Sequence, residues 1–306
     1  MRFFWDNFPL FLIWLIGFSM LSTSLHYVVP PIEHVAWLAL IPLITSFVLL
    51  GFAQRRQHGV FLVKRYLPWV AALGGVYVIP FLDSTSIPLS KETHLLIYEA
   101  SAIIEFIILV LHGRVWLKRW DWAWVFGVTL VFGMILENGG IAMGFFREEG
   151  YWLYLPGLHA PVATMLGWTN VLYCCFFAVE KILPPLPPVL VGLACAVIGL
   201  SMDLSFDPVA TRLGWWVWNE TLQMSMWGVP VINFVAWFWA LFPYAWCYEW
   251  MKRYGGVGEG KKLVIFSVLV PVILIIELAG VLLSLVAFGD RGALEVLHYF
   301  FSSICC

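Results

Sequence analysis

The run at 263–288, LVIFSVLVPVILIIELAGVLLSLVAF, decides the fold of this chain. It holds 26 residues, of which Glu277 is the only ionisable one. About 20 consecutive, mostly apolar residues allow an α-helix to cross the hydrocarbon core of a membrane. The run is therefore predicted to be a transmembrane helix.

Eight further runs of this kind precede it, joined by short loops. They predict an all-α fold, a polytopic transmembrane helix bundle of about nine spans that forms a single domain over residues 1–306. The nine predicted spans are 8–25, 35–53, 66–82, 95–112, 122–138, 159–179, 187–206, 229–251 and 263–288.

The composition agrees with membrane residence. The chain is 62% hydrophobic and 12% charged, whereas a soluble domain carries roughly 25% charged residues. The net charge of -2 gives no indication of a nucleic-acid partner. We therefore expect membrane lipid to surround the protein.

The distribution of basic residues predicts an orientation. With the N-terminus in the cytoplasm, 13 of the 17 Lys and Arg residues fall in cytoplasmic loops, as the positive-inside rule requires. This alternation predicts a multi-pass protein of the cell (plasma) membrane with its C-terminus outside.

The six cysteines predict no metal site. Four lie in apolar segments, and none has Cys-x-x-Cys or Cys/His ligand spacing. The terminal Cys305-Cys306 pair is a candidate for lipidation, although no polybasic stretch supports it.

Ionisable side chains within apolar spans are costly and mark functional sites. Asp203 and Asp207 lie four residues apart and therefore on one helix face. Pro208 disfavours the helical conformation at Asp207, so we expect the helix to end there. Two neighbouring carboxyl groups in low dielectric do not both ionise easily, so we expect one to hold a proton and the two to form a general acid and base.

Other polar residues fall at the same predicted depth. They are Glu99, Glu137, Asn138, His159 and Asn233, while Glu105, Asn170 and Glu277 lie deeper. The first group is expected either to form one pocket with the Asp pair or to touch water at the membrane surface.

Aromatic residues crowd the predicted outer loops. Trp216 and Trp218 lie in one of these loops, and Tyr151 and Tyr154 lie in the other. Such rings form interfacial belts or offer π faces to a cation in a pocket, and the sequence leaves both interpretations open.

The order of these motifs resembles the integral membrane carotenoid biosynthesis protein family. The resemblance covers residues 95–250 and is carried by Glu137, Gly144-Phe145, Tyr151-x-x-Tyr154, Gly167-Trp168, Asp203-x-x-x-Asp207-Pro208-Val209-Ala210, Gly214-x-Trp216-x-Trp218 and Gly228-Val229-Pro230-x-x-Asn233-Phe234-x-x-Trp237. Relative to the family pattern, Phe146-Arg147-Glu148-Glu149 is an extra segment before Gly150.

The resemblance implies a carbon–oxygen lyase that hydrates a terminal double bond of an acyclic carotenoid or related polyisoprenoid, with no cofactor or metal. On this hypothesis Asp203 or Asp207 donates a proton and Glu137 holds the attacking water. The substrate-binding residues would be Glu99, Asn138, Tyr151, Tyr154, Trp216, Trp218 and Asn233.

Two alternatives belong to other functional classes. A membrane prenyltransferase acting on a polyprenyl diphosphate has a similar length, but it needs a second Asp-rich motif, which the sequence lacks. A transporter or lipid-binding protein without enzymatic activity would use Glu99, Glu105 and Glu277 as a proton path, but no inverted repeat supports it.

Overall fold

The computed structural model describes residues 5–13, 90–117, 119–222 and 224–304. Residues 8–13 are helical. The predicted spans at 35–53 and 66–82 lie outside the described residues, as do most of the span at 8–25 and the Cys305-Cys306 pair.

Six helices of the described chain are long and apolar enough to cross a membrane. Each coincides with one of the last six predicted spans, so the all-helical prediction is confirmed here, while the count of nine and the orientation stay predictions. From residue 90 onward the described chain forms eight α-helices, of which α2 and α3 belong to one span and α8 is shorter than a span. They are α1 (Lys91–Trp116), α2 (Arg119–Ala123), α3 (Thr129–Ala142), α4 (Val162–Ile182), α5 (Pro188–Arg212), α6 (Val231–Arg253), α7 (Glu259–Phe288) and α8 (Arg291–Ile304).

A π-helical turn, Trp124–Val128, joins α2 to α3, and together they form one span. The outer surface of the bundle is apolar, as the lipid environment requires. On α7, for example, Val268, Ile275 and Leu283 are each about two-thirds exposed, which a water-facing surface rarely tolerates over such a length.

Two connections lie at the same end of the bundle. The short strands β1 (Phe146–Arg147) and β2 (Val217–Trp218) belong to different connections, 143–161 and 213–230, and pair antiparallel. A second antiparallel pair, β3 (Ser225–Met226) with β4 (Val229–Pro230), leads into α6. We call this the loop-rich end.

The opposite half of the bundle contains a densely packed aromatic core. Trp124, Tyr244, Tyr248 and Phe266 are fully buried there, and the rings of Trp124 and Phe266 stack with centroids 5.9 Å apart. A Cβ atom on Gly192 would lie 2.7 Å from the Phe242 carbonyl oxygen, so α5 and α6 approach closely because this residue has no side chain.

The prediction that the helix of the seventh predicted span ends at Asp207 is wrong. Helix α5 continues through Pro208 to Arg212, so Asp207 lies inside the helix and not at its C-terminus. Proline within a membrane helix is tolerated where neighbouring groups satisfy the backbone that it frees. The local bias against helix before proline is thus overridden by packing.

Helix α8 was not predicted. Gly289 ends α7 in the left-handed conformation, with φ of 72°, and the carboxylate of Asp290 accepts the N–H of Ala293 at 3.1 Å as an N-cap. These are ordinary helix stop and start signals. With 14 residues, α8 is too short to span a membrane, and it packs on the bundle through Ala293, Val296 and Leu297.

Candidate functional site

A cavity of about 520 Å³ lies between the helices near the loop-rich end. This volume falls within the range of small-molecule sites, roughly 300–1,000 Å³. Its walls are mostly apolar, but six carboxyl groups line it: Glu105, Glu137, Glu148, Asp203, Asp207 and Glu277.

The aspartate pair is held by one amide. Asp203 and Asp207 lie one turn apart on α5 and are only 1% and 4% exposed. The Nδ2 group of Asn233, in the first turn of α6, donates to Asp203 Oδ2 at 3.0 Å and to Asp207 Oδ2 at 2.5 Å. An amide nitrogen carries two protons, so a single side chain serves both carboxyl groups.

Glu137 is oriented by a tryptophan. Near the end of α3, its Oε1 accepts the indole N–H of Trp168 at 2.5 Å. The Trp168 ring in turn stacks on Trp237 of α6, with centroids 4.4 Å apart. The three predicted catalytic residues therefore line the same cavity, and helices α4 and α6 provide the groups that hold them.

Glu148 is a further acid of the cavity wall that was not predicted. It belongs to the connection 143–161, is 7% exposed, and accepts a hydrogen bond from Thr164 at 3.3 Å. Burial raises the pKa of Glu148 well above its ordinary value, and the nearby Glu137 and Asp207 add to the shift. In the sequence Glu148 stands between two other charged residues, Arg147 and Glu149, so the sequence carries no signal of its burial.

Four aromatic rings form one wall. Tyr98 stacks on Trp215 at 4.9 Å, and Phe206 stacks on Trp216 at 5.7 Å. Phe206 also lies 5.6 Å from Tyr98, which joins the two pairs. We call these residues the four-ring cluster. Of its members only Trp216 was predicted to bind substrate, although Trp215 stands directly beside it in the sequence.

Trp218 also lines the cavity. Its indole N–H donates to the hydroxyl of Thr211 at 3.0 Å, and its ring meets Phe146 with centroids 5.3 Å apart. This contact follows from the pairing of β1 with β2.

Two predicted substrate-binding residues instead bind the backbone of the connection 143–161. Glu99 accepts the N–H groups of Trp152 at 2.8 Å and Leu153 at 2.9 Å. Asn138 Oδ1 accepts those of His159 at 2.7 Å and Ala160 at 3.1 Å. Neither Glu99 nor Asn138 is among the residues that line the cavity; their carboxylate and amide fix the fold of the loop.

Tyr151 and Tyr154 lie in the same loop and also stand outside the cavity lining. The Tyr154 hydroxyl donates to the Glu148 carbonyl at 3.0 Å. Tyr151 is buried against Tyr98, with centroids 6.2 Å apart. Tyr154 therefore contacts Glu148, and Tyr151 contacts the four-ring cluster, from outside the cavity. His159, expected within a span, lies in the loop before α4.

Three polar residues line the deeper part of the cavity: Glu105, Asn170 and Glu277. Asn170 is 5% exposed and donates to the Ala102 carbonyl at 3.2 Å. Its Oδ1 atom, like Oε2 of Glu277, has no hydrogen-bond partner in the described chain.

The charge of the lining is one-sided. Among the described residues, the cavity has no Lys or Arg side chain, and His94 is its only basic residue. In the same part of the chain, no three His, Cys, Asp or Glu side chains are grouped as metal ligands. Such a lining provides groups that exchange protons and no Lys or Arg side chain that would bind a phosphate.

Comparison with known proteins gives no match: no protein-family model, no curated protein and no solved structure is significantly similar to this chain.

Proposed function

We propose that the protein is an integral membrane enzyme that adds water to a terminal double bond of an acyclic carotenoid or related polyisoprenoid. One observation carries the proposal: Asp203, Asp207 and Glu137 line a single, mostly apolar cavity. A polyene dissolved in the bilayer matches the apolar walls, and its hydration requires an acid and a base at the reacting carbon atoms.

The reaction begins with proton transfer. One carboxyl group of the Asp203 and Asp207 pair gives its proton to the less substituted carbon of the terminal double bond. As the π bond breaks, a C–H bond forms, a tertiary carbocation is left on the neighbouring carbon, and the donor becomes a carboxylate. General acid catalysis of this kind contributes about 10²–10⁴-fold to a rate.

Water then completes the addition. The oxygen of a water molecule held by Glu137 forms a C–O bond to the carbocation and passes its surplus proton to a carboxylate. A second proton transfer within the acid cluster restores the Asp donor, so the net change is the addition of one water. The π faces of Trp216 and Trp218 stabilise the cation by up to about 2 kcal/mol each where water is excluded.

Asn233 acts as a positioning residue for both aspartates. Glu99, Asn138, Tyr151 and Tyr154 contribute through the connection 143–161, which carries Glu148 to the cavity. The mechanism needs no diphosphate-binding cations. The alternative of a prenyltransferase would need metal ions between the carboxyl groups and a diphosphate, since no described Lys or Arg lines the cavity to hold the diphosphate directly. The deep carboxyl groups of Glu105 and Glu277 favour, as a second candidate, a proton-coupled transporter for an apolar cargo.

Expression in a host that accumulates lycopene tests the proposal. We expect a pigment heavier by one water, and growth in water enriched in heavy oxygen should transfer that label to the product. Asp203→Asn, Asp207→Asn and Glu137→Gln should each remove the product, whereas Glu149→Gln, a change at an exposed acid beside the site, should keep it. Unchanged lycopene with the well-expressed wild-type protein would refute hydration, and ion-gradient-driven uptake in vesicles would favour the transporter.

The membrane orientation is testable separately. With the N-terminus in the cytoplasm, the loop-rich end and the cavity face outward. Reporter fusions within 213–230 should give an external signal, and a cytoplasmic signal there would reverse the orientation.

A further inference from the structure

The cavity combines three features that suit an organic cation. Six carboxyl groups and no described Lys or Arg line it, so no cationic Lys or Arg side chain competes with a bound cation for these acids. The four-ring cluster offers π faces. The rest of the wall is apolar, through residues such as Ile135, Val171, Leu274 and Leu278.

The four-ring cluster lies next to Asp203 and Asn170 along the bundle. Asp203 precedes Phe206 by three residues on α5, and Asn170 follows Gly167 by three residues on α4. A Cβ atom on Gly167 would lie 3.8 Å from the Tyr98 hydroxyl, which places Gly167 beside the cluster. Asp203 and Asn170 are therefore each about one helical turn, roughly 5 Å, deeper than the rings.

These two residues present acceptor atoms without donors. Asn170 Oδ1 and Asp203 Oδ1 are both buried, and no N–H or hydroxyl group of the described chain donates to either. The carboxyl group of Asp203 also shares a hydrogen bond with that of Asp207. Buried acceptors without a donor are costly and are uncommon in folded proteins. Because Asn170 and Asp203 line the cavity, these acceptors are available to a ligand that carries a positive or donor group.

We infer that the cavity binds a lipophilic organic cation, an ammonium head group with an apolar tail. The head lies between the four-ring cluster and the acceptors of Asp203 and Asn170, and the tail follows the apolar wall toward Leu274 and Leu278. Aromatic faces recognise alkylammonium groups by cation–π attraction, which is strongest where water is excluded. The inference does not depend on the hydration reaction, because it concerns binding only.

The test uses the full-length protein in nanodiscs of zwitterionic lipid. The probe is decyltrimethylammonium, and the control ligand is decyldimethylamine N-oxide, which has the same tail and a head of similar size with no net charge. Binding is followed by tryptophan fluorescence below the micellar concentration of each ligand, with empty nanodiscs subtracted.

We expect the cation to bind about thirtyfold more tightly than the N-oxide, which corresponds to about 2 kcal/mol. Equal affinity of the two ligands for the wild-type protein would overturn the inference without any variant being needed.

Variants locate the site. In the double variant Asp203→Asn, Asp207→Asn, the preference for the cation should fall to about threefold or less, because the nearest negative charges are gone. Glu149→Gln removes one charge at an exposed position and should keep the full preference. If the double variant does not fold, Trp216→Leu and Trp216→Phe form a second pair, in which only the phenylalanine keeps the preference. A preference that survives in the double variant or in Trp216→Leu would place the cation elsewhere and refute the assignment.

Discussion

Replacement of Asn233 by alanine tests the central contact of the site. The change removes both hydrogen bonds from Nδ2 to Asp203 and Asp207. A buried acceptor that loses its donor costs about 1–3 kcal/mol, so two such losses set an upper range of about 2–6 kcal/mol. Hydrogen bonds between membrane helices contribute only about 0.6 kcal/mol on average, and cavity water replaces part of the lost donor.

We therefore expect Asn233→Ala to lower the free energy of unfolding by about 2 kcal/mol. Mixed-micelle titration with SDS, followed by circular dichroism, measures this quantity. Because the cost arises through the aspartates, a double-mutant cycle of Asn233→Ala with Asp207→Asn should give a coupling energy of about 1 kcal/mol.

Glu249 provides the matched control for the cycle. It is another buried acid, it lies on the same helix, and it pairs with Arg253 at 2.6 Å. Sixteen residues separate it from Asn233, which is about 24 Å along α6. Asn233→Ala and Glu249→Gln should therefore be additive within about 0.5 kcal/mol. Additivity in the Asp207 cycle as well would refute the view that Asn233 acts by holding the aspartates.

Three further predictions concern single residues. Burial raises the pKa of Glu148 in the folded protein. The contribution of Glu148 to stability is therefore full below its ordinary pKa of 4.5 and is lost as pH rises through the raised value. Glu148→Gln should flatten this fall in the free energy of unfolding, and Glu149→Gln should not. Gly192→Ala should cost about 1–3 kcal/mol of stability in the same SDS titration, because its Cβ atom would meet the α6 backbone. Gly139→Ala should be neutral or stabilising, because its Cβ atom would lie 4.0 Å from its nearest neighbour, Cε of Met143. Glu99→Gln should speed hydrogen exchange at the two loop amides that its carboxylate binds; protection equal to wild type would show that the carboxylate does not hold the loop.

Hydropathy was sufficient to predict the six described spans, because each long apolar run can satisfy its backbone only as a helix in lipid. The same logic selected Asp203, Asp207 and Asn233, since polar groups in such runs need partners. Asp203 and Asp207 share one face of α5, as their four-residue spacing predicted, and Asn233 of α6 binds both. This geometry does not test the proposed function.

Local rules failed where tertiary contacts decide the outcome. The bias of Pro208 against helix predicted an end at Asp207, yet packing carries α5 to Arg212. Glu99 and Asn138 carry the same polar groups as the residues of the site. Their partners are backbone amides of the connection 143–161, whose path could not be predicted from the sequence. Glu148 was missed because its neighbours in the chain are exposed charges, and only the path of the loop buries it.

The cost of the acid cluster argues that the cavity has a use. An acid at the centre of a membrane helix costs about 2.5–3.5 kcal/mol on insertion scales. Partners offset this for some groups: Asn233 serves the aspartates, Trp168 serves Glu137, and Thr164 serves Glu148. Within the described chain, Glu277 has no such partner for Oε2. A fold that needed only stability would replace these acids with apolar residues, so their convergence on one cavity is best explained by a ligand or a reaction that requires negative charge and transferable protons there.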